Sequence, residues 1–287
     1  MSEITKHSMI AVLAAVCLTG LTRSVRGDET NVALSAAAQE AMTPATTANE
    51  DKWTFNAPLY LWAPALTGTA TLKGNNVRVD ESFTDLKDNM TGGFMAYLEL
   101  GKPQYGFYVN PNYFALSFSV HEGPVKATLD LNLWFIEMVG YYRIWNTEGN
   151  RPASLCVIGG ARYWNLHNNL QLRAPIVGRS AVAETQWLLD PMIGLRFMEY
   201  ITPRLHVLAQ SDVGGFNIGD HTSRFSWQLM STLGYDFTMP LIKKPSTAFV
   251  GWRQINVQKT SGSSTVDQTA INLNFSGILV GLNVHWF

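Results

Sequence analysis

The chain has 287 residues and a formal net charge of −1, which allows one barrel or two small soluble domains and excludes the strongly basic face typical of nucleic-acid-binding proteins. Charged residues make up 15% of the sequence and aromatic residues 11%. A soluble domain normally carries roughly 25% charged residues. The low content of charged residues indicates strand positions that face lipid.

The N-terminus has the features of a signal peptide. A basic start precedes an apolar run over residues 9–21, which is shorter than the roughly 20 residues of a membrane-spanning helix. We therefore expect a cleaved signal peptide over residues 1–27, an exported protein without a transmembrane helix, and a flexible periplasmic leader over residues 28–51. The mature chain would retain one cysteine, Cys156, as a packing residue.

From residue 53 onward, apolar and polar residues alternate in ten segments of about the length that a tilted membrane-crossing strand requires. The predicted strands cover residues 53–62, 94–100, 105–112, 128–143, 154–163, 184–197, 205–212, 224–237, 248–253 and 269–287. Compact predicted turns lie near residues 102, 148, 202 and 242, and longer polar loops near residues 75, 175, 218 and 263. This pattern predicts an all-β fold: a single antiparallel transmembrane β-barrel over residues 52–287, with short periplasmic turns and longer extracellular loops.

The strand count has one alternative. Residues 65–83 form a predicted hairpin around Lys73-Gly74-Asn75-Asn76, which would raise the count from ten to twelve if it joined the wall. Soluble β-sandwiches and lipocalin-like barrels also show alternating strands. However, Trp and Tyr at the strand ends favour the aromatic girdles of a membrane barrel.

Two predicted strands change the parity of their apolar face. In the fourth strand, Phe135 lies on the apolar parity but Glu137 follows on the same parity, which predicts a β-bulge near residues 134–136. In the closing strand, residues 269–287, the apolar positions change from odd to even numbers at Gly277, which predicts a step in the strand there.

The closing strand ends in Trp286-Phe287 and carries Gly281 and Val284 in an alternating apolar pattern. It resembles the C-terminal strand of Gram-negative outer-membrane β-barrels, which acts as their assembly signal. The resemblance implies location in the outer membrane, contact with outer-membrane lipid, and recognition by the barrel-assembly machinery.

Two further motifs carry a second resemblance. Tyr60-Leu61-Trp62-x-Pro64, followed by Leu66-x-Gly68, and then Ser82-Phe83-x-Asp85-Leu86 are similar to segments of a group of uncharacterised Gram-negative outer-membrane proteins. This resemblance extends from Trp53 to Phe287 and implies fold and location. No functional residues transfer from it.

Charged residues on the polar face are expected to point into the barrel, because a charge on the lipid face costs up to roughly 2–4 kcal/mol at mid-membrane. The predicted lumen-lining residues are Glu99, Glu137, Arg143, Arg162, Asp190, Arg196, Arg204, Asp212, Arg224, Asp236 and Arg253. Two interpretations are open at this point. The charges either form a salt-bridge network that fills a narrow interior, or form a constriction that selects small polar or ionic solutes.

These patterns predict passive passage of small polar or ionic solutes, or a role in envelope structure, with no enzyme activity, cofactor or metal. One alternative is an outer-leaflet lipid hydrolase. His221 and Ser223 lie on the predicted outward face and are similar to the His-x-Ser pair of the outer-membrane phospholipase family, in which His activates Ser for attack on a lipid ester. Another alternative is a surface-loop binding protein that uses residues 63–90 and 167–183.

Overall fold

The computed structural model describes residues 53–72, 75–122, 125–149, 151–174, 178–240, 243–261 and 269–285. The predicted signal peptide and leader, residues 1–51, and the C-terminal Trp286-Phe287 pair lie outside the described residues. No helix in the described ranges is long and apolar enough to cross a membrane.

The described residues form strands and one short helix, α1 (Phe83–Asp88). The strands are β1 (Thr54–Asn56), β2 (Leu59–Leu72), β3 (Asn75–Glu81), β4 (Met90–Met95), β5 (Leu98–Gly101), β6 (Tyr105–Glu122), β7 (Val125–Thr147), β8 (Ala153–Ala174), β9 (Gly178–Thr202), β10 (Leu205–Gly214), β11 (Phe225–Met239), β12 (Lys244–Ser261) and β13 (Thr269–Val284).

All of these strands belong to one antiparallel sheet that closes on itself. From β5 to β13 each strand pairs with the next, β13 returns to β2, and β1 pairs with β5. We call one crossing of the chain from one end of the barrel to the other a pass. Strands β1 and β2 follow each other along one pass, and β3, α1, β4 and β5 make up the next pass. The 13-stranded sheet therefore makes ten passes around a barrel wall. The predicted all-β antiparallel barrel is confirmed.

The predicted hairpin over residues 65–83 is present, but it adds no separate passes. Its first arm is the far half of β2, and its second arm is β3, which pairs with β2 from Leu66↔Glu81 to Leu72↔Asn75. The chain then continues through α1 into β4.

The two ends of the barrel differ. The turn end holds the connections that follow β5, β7, β9 and β11, together with the start of β1 and the end of β13. The loop end holds the other connections. The predicted polar loop over residues 167–183 is wrong, because β8 and β9 stay paired as far as Ala174↔Gly178. Antiparallel pairing depends on backbone hydrogen bonds, so a run of polar side chains does not by itself end a strand.

Side chains alternate between the exterior and the interior of the barrel. Leu229, Leu233 and Val250 point outward and are exposed, whereas Arg253 and Ile255 point inward and are buried. An apolar exterior around an interior that holds buried charged groups is the arrangement of a membrane-spanning barrel.

The two predicted strand irregularities do not occur. Pairing of β6 with β7 runs without a shift through residues 134–136, and pairing of β12 with β13 runs without a shift through Gly277. Phe135 and Phe275 therefore point inward, and both are buried. The prediction assumed a polar interior along the whole strand, but the interior of the loop half is apolar. The register shift in β7 lies next to Arg143 instead.

An interior aromatic cluster lies next to the middle of the barrel, on the loop side. Its rings are Trp62, Phe114, Phe135, Trp164 and Phe275, and Ile255, Val257 and Leu279 pack against them. The centroid of the Phe135 ring lies 5.9 Å from that of Trp62, 5.2 Å from that of Trp164 and 6.3 Å from that of Phe114. Edge-to-face and offset contacts at these distances stabilise a core beyond the area they bury.

Helix α1 begins with a capping box. The Ser82 side chain accepts a hydrogen bond from the backbone N–H of Asp85, and the Asp85 carboxylate accepts one from the backbone N–H of Ser82. Hydrogen bonds from the side chain and then the backbone of Ser82 lower the pKa of Asp85. Leu86 is the buried residue that anchors the helix to the barrel.

Candidate functional site

A buried network of charged groups crosses the middle of the barrel. We call it the charge layer, and its members are Glu137, Arg162, Asp212, Gln228 and Arg253. The Arg162 guanidinium donates hydrogen bonds to Glu137 at 2.8 Å and to Asp212 at 2.9 Å. Arg253 donates to the second Glu137 oxygen at 2.7 Å and to Gln228 at 2.9 Å, and Gln228 donates to Asp212 at 3.0 Å. The layer therefore joins β7, β8, β10, β11 and β12 through their inward side chains.

Neutral side chains extend this network to the opposite wall. Asn110 on β6 donates to Glu137 at 3.0 Å, and the Tyr60 hydroxyl on β2 lies within hydrogen-bond distance of two side-chain oxygens, that of Asn110 at 2.6 Å and that of Asn112 at 2.8 Å. Each charged member of the layer is at most 2% exposed. Two arginines face two carboxylates, so the layer carries no net charge. Mutual pairing is what makes burial of these four charges tolerable.

Between the charge layer and the turn end lies a cavity of about 240 Å³, which we call the turn-end cavity. Aromatic and aliphatic side chains form much of its wall. They include Tyr60, Tyr97, Tyr108, Tyr141, Met198, Leu208, Met230, Phe249 and Leu279. Polar groups are placed among them, at Asn56, Glu99, Asn110, Arg196, Gln210 and Asn283. Mostly apolar lining with a few polar groups is typical of small-molecule sites.

Arg196 is held rigidly in the cavity wall. Its guanidinium donates to Glu99 at 3.0 Å and to the Tyr97 hydroxyl at 2.7 Å. The same group lies 4.7 Å from the ring centroid of Tyr108 and 5.2 Å from that of Tyr141. Cation–π contact and a paired carboxylate keep this charge balanced beside an apolar space.

Most of the predicted lumen-lining charges lie inside the barrel. Glu99, Glu137, Arg143, Arg196 and Arg253 line the turn-end cavity. Arg162 and Asp212 lie in the charge layer.

Two further carboxylates lie inside the barrel and accept hydrogen bonds from groups outside the charge layer, although Asp190 lies opposite Arg162 in the β8–β9 register. Asp236 accepts hydrogen bonds from Tyr200 at 3.1 Å and from Thr247 at 2.6 Å. Asp190 accepts one from the backbone N–H of Ser223 at 2.6 Å.

The prediction is wrong for Arg204 and Arg224, whose side chains are exposed. Arg204 lies in the turn before β10, and Arg224 lies just before β11. Alternation does not define a side chain's direction beyond the end of a strand, so their parity carried no information.

The sequence-based selection missed the neutral members of the network. Tyr60, Asn110, Asn112 and Gln228 share the inward parity of neighbouring charged residues, but only charged groups were selected. A criterion based on parity alone would have included them.

The proposed His-x-Ser pair is not assembled. Ser223 is fully buried, and its backbone N–H is bonded to Asp190. His221 is exposed and stacks on Trp187, with ring centroids 3.8 Å apart. Both residues lie in the connection before β11, where the outward parity of the strand does not apply. His221 is therefore not placed to activate Ser223, as the His-x-Ser mechanism requires.

Within the described ranges, no group of three or more His, Cys, Asp and Glu side chains is placed to hold a metal ion. The buried carboxylates of the charge layer are instead paired with guanidinium groups.

The closed antiparallel wall, apolar exterior and polar mid-level define the class: the chain has the fold of an outer-membrane β-barrel protein. No protein-family model and no curated protein sequence matches it. Among solved structures it is similar to the outer membrane protease OmpT from Escherichia coli, with a TM-score of 0.47 and 11% identity, over 85% of this chain and 100% of that chain. A Pseudomonas aeruginosa FadL homologue gives a TM-score of 0.29 and 8% identity, over 82% of this chain and 90% of that chain. The CymD monoaromatic hydrocarbon channel gives a TM-score of 0.20 and 10% identity, over 87% of this chain and 93% of that chain. These similarities concern the fold and not the activity.

Proposed function

We propose that this protein is an outer-membrane barrel that receives a small amphipathic molecule in the turn-end cavity, and that it offers no open path for ions. The observation that carries the proposal is the charge layer, which closes the inner end of an aromatic-lined cavity. The turn end faces the periplasm in this proposal, because outer-membrane barrels have short periplasmic turns and longer extracellular loops.

Passage of polar solutes through the lumen is the competing candidate. A solute would have to separate Glu137 from both Arg162 and Arg253, and then cross the interior aromatic cluster. Breaking a buried ion pair on one side leaves an uncompensated charge, at a cost of about 3–5 kcal/mol. The geometry therefore favours the interpretation of the charges as an interior-filling network.

Binding in the cavity is tested by titration calorimetry with 1-naphthol, a molecule with an aromatic body and one hydroxyl. The purified barrel in detergent micelles is expected to give saturable heat after subtraction of partition into empty micelles. Leu208 lines the cavity, so Leu208→Trp is expected to weaken binding at least about tenfold by filling the space, since each tenfold is about 1.4 kcal/mol.

The matched control is Val207→Trp, which adds the same ring to the outward face of the same strand. Its binding is expected to equal that of the unmodified protein. Equal binding by the Leu208→Trp variant would show that naphthol binds elsewhere and would contradict the proposal.

Ion conductance separates the two candidates. We expect residues 28–287, refolded into planar bilayers, to give no discrete openings, because the charge layer blocks the lumen. Discrete openings that change in the Arg162→Ala variant, and not in the surface variant Arg204→Ala, would support solute passage and overturn the blocked barrel.

A further inference from the structure

The hydrogen-bonded wall has a gap on one side of β2. Pairing of β1 with β5 ends at Asn56↔Glu99, and pairing of β2 with β3 starts only at Leu66↔Glu81. Between these points β2 pairs with β13 alone, and β4, which lies across the gap, pairs with β6 alone. We call this gap the seam, with residues 57–65 on one edge and residues 90–97 on the other.

The seam edge of β2 is chemically suited to remain unpaired. Trp62 directs its backbone N–H across the seam, where it donates to the Met95 sulfur at 3.1 Å and not to a backbone carbonyl. Backbone groups two residues apart point to the same side of a strand, so Pro58 and Pro64 also face the seam. Proline has no N–H to leave unsatisfied on such an edge.

The exterior at the seam is open and apolar. Leu59 is 77% exposed and Leu61 69% exposed, whereas outward residues of the paired wall are less exposed, such as Leu229 at 49% and Val250 at 45%. The excess exposure follows from the missing neighbour strand. The other edge of the seam presents Phe94, which is 53% exposed, so both edges offer lipid an apolar surface.

The interior behind the seam is the turn-end cavity. Pro58 and Tyr60 from one edge, and Tyr97 from the other, all line it. Side chains alone therefore separate the cavity from the membrane at this level. Entry between two paired strands would break backbone hydrogen bonds in lipid, which is costly, whereas entry through the seam needs only side chains to move.

We propose that the ligand is a small apolar molecule with one polar group, dissolved in the membrane, which enters the turn-end cavity sideways through the seam. The aromatic and aliphatic wall of the cavity accepts the apolar body, and Asn110 and Arg196 face the polar group. This inference rests on the proposed function, to which it adds the ligand's chemistry and its route.

Cys156 supplies a reporter for the route. It is buried, it lines the cavity, and it is the single cysteine of residues 28–287. Its thiol adds across the double bond of a maleimide. The experiment compares alkylation of Cys156 in lipid nanodiscs by N-octylmaleimide, which partitions into the membrane, and by a sulfonated maleimide confined to water. Peptide mass spectrometry measures the rate at this position.

The seam is closed by a disulfide between Leu59→Cys and Ala96→Cys. These outward positions lie opposite each other when the register Asn56↔Glu99 is continued along both edges. The matched control is a disulfide between Leu233→Cys and Val250→Cys, an outward registered pair on the intact wall. A second variant pair does not depend on disulfide formation: Ala96→Trp obstructs the seam, and Ala248→Trp places the same ring on the paired wall.

We expect N-octylmaleimide to alkylate Cys156 at least tenfold faster than the sulfonated reagent. Closing or obstructing the seam is expected to slow the alkylation of Cys156 by N-octylmaleimide at least tenfold. Both control variants are expected to keep this rate within twofold of that of the unmodified protein. An unchanged rate in the closed and obstructed variants would show entry at the turn end, which overturns the sideways route but leaves cavity binding intact. Failure of both reagents to reach Cys156 in the folded protein, with rapid alkylation after unfolding, would overturn the proposed function together with the route.

Discussion

Glu137→Gln is expected to lower the free energy of unfolding by about 3–5 kcal/mol, the cost of breaking a buried ion pair by removing one partner. Glu137 is 1% exposed and accepts hydrogen bonds from both Arg162 and Arg253. The glutamine keeps the shape of the side chain but leaves two guanidinium groups buried around one remaining carboxylate, Asp212. Denaturant titration of the refolded barrel in micelles, followed by tryptophan emission and by heat-modified gel migration, measures the change.

The control for this prediction is Asp80→Asn. Asp80 lies 3.7 Å from Arg78 in an ion pair whose side chains are 66% and 83% exposed. Solvent-exposed pairs contribute at most about 1 kcal/mol, so this variant should unfold nearly as the unmodified protein does. Equal unfolding free energies for Glu137→Gln and Asp80→Asn would mean that the charge layer is solvated and does not block the lumen.

Phe135→Ala is expected to cost about 3–5 kcal/mol of unfolding free energy, the range for deleting a buried aromatic side chain. Phe135 is 1% exposed and contacts Trp62, Phe114 and Trp164 within the interior aromatic cluster. The cluster is rigid because rings from several strands surround this position. The cavity left by the deletion therefore cannot be filled by a small adjustment.

Met138→Ala on the same strand is the matched control, because Met138 points outward and is exposed. Its loss removes contact with detergent or lipid and leaves the interior packing unchanged. The same denaturant titration applies. A larger loss for Met138→Ala than for Phe135→Ala would mean that β7 has the opposite facing, with Phe135 towards lipid.

The charge layer and the aromatic cluster together explain how a barrel of ten passes can be filled. Barrels near eight strands are narrow enough for side chains to fill, whereas sixteen strands leave an aqueous channel. Long arginine side chains reach across the middle of the barrel, and aromatic rings pack beside them on the loop side. The turn half lacks such a filling layer, which is why the cavity forms there.

The fold class, and for many residues the choice between the inner and the outer face of a strand, follow from the sequence. The reason is that alternation with period two is a local property of each strand. In the predicted strand over residues 53–62, Leu59 and Leu61 occupy apolar positions of the alternating pattern, and both are exposed. Inward charges such as Arg162 and Arg253 follow from the same parity. The Tyr60-Leu61-Trp62-x-Pro64 motif was visible in the sequence, but its position on the unpaired edge of β2 was not.

Only the tertiary structure decided which side chains contact one another inside the barrel. Whether Phe135 and Phe275 face lipid or one another depends on contacts between distant strands, and local parity assigned both to the wrong side. The pairing of Glu137 with both Arg162 and Arg253 depends on the same cross-barrel contacts. The seam is also decided by the tertiary structure. A strand edge is unpaired only when no other strand of the barrel lies beside it, and the local sequence does not show this. Sequence alternation thus determined which residues of a strand share a face. The closure of the wall determined which face points inward and which residues became partners, because partners across a barrel are separated by the geometry of all intervening strands.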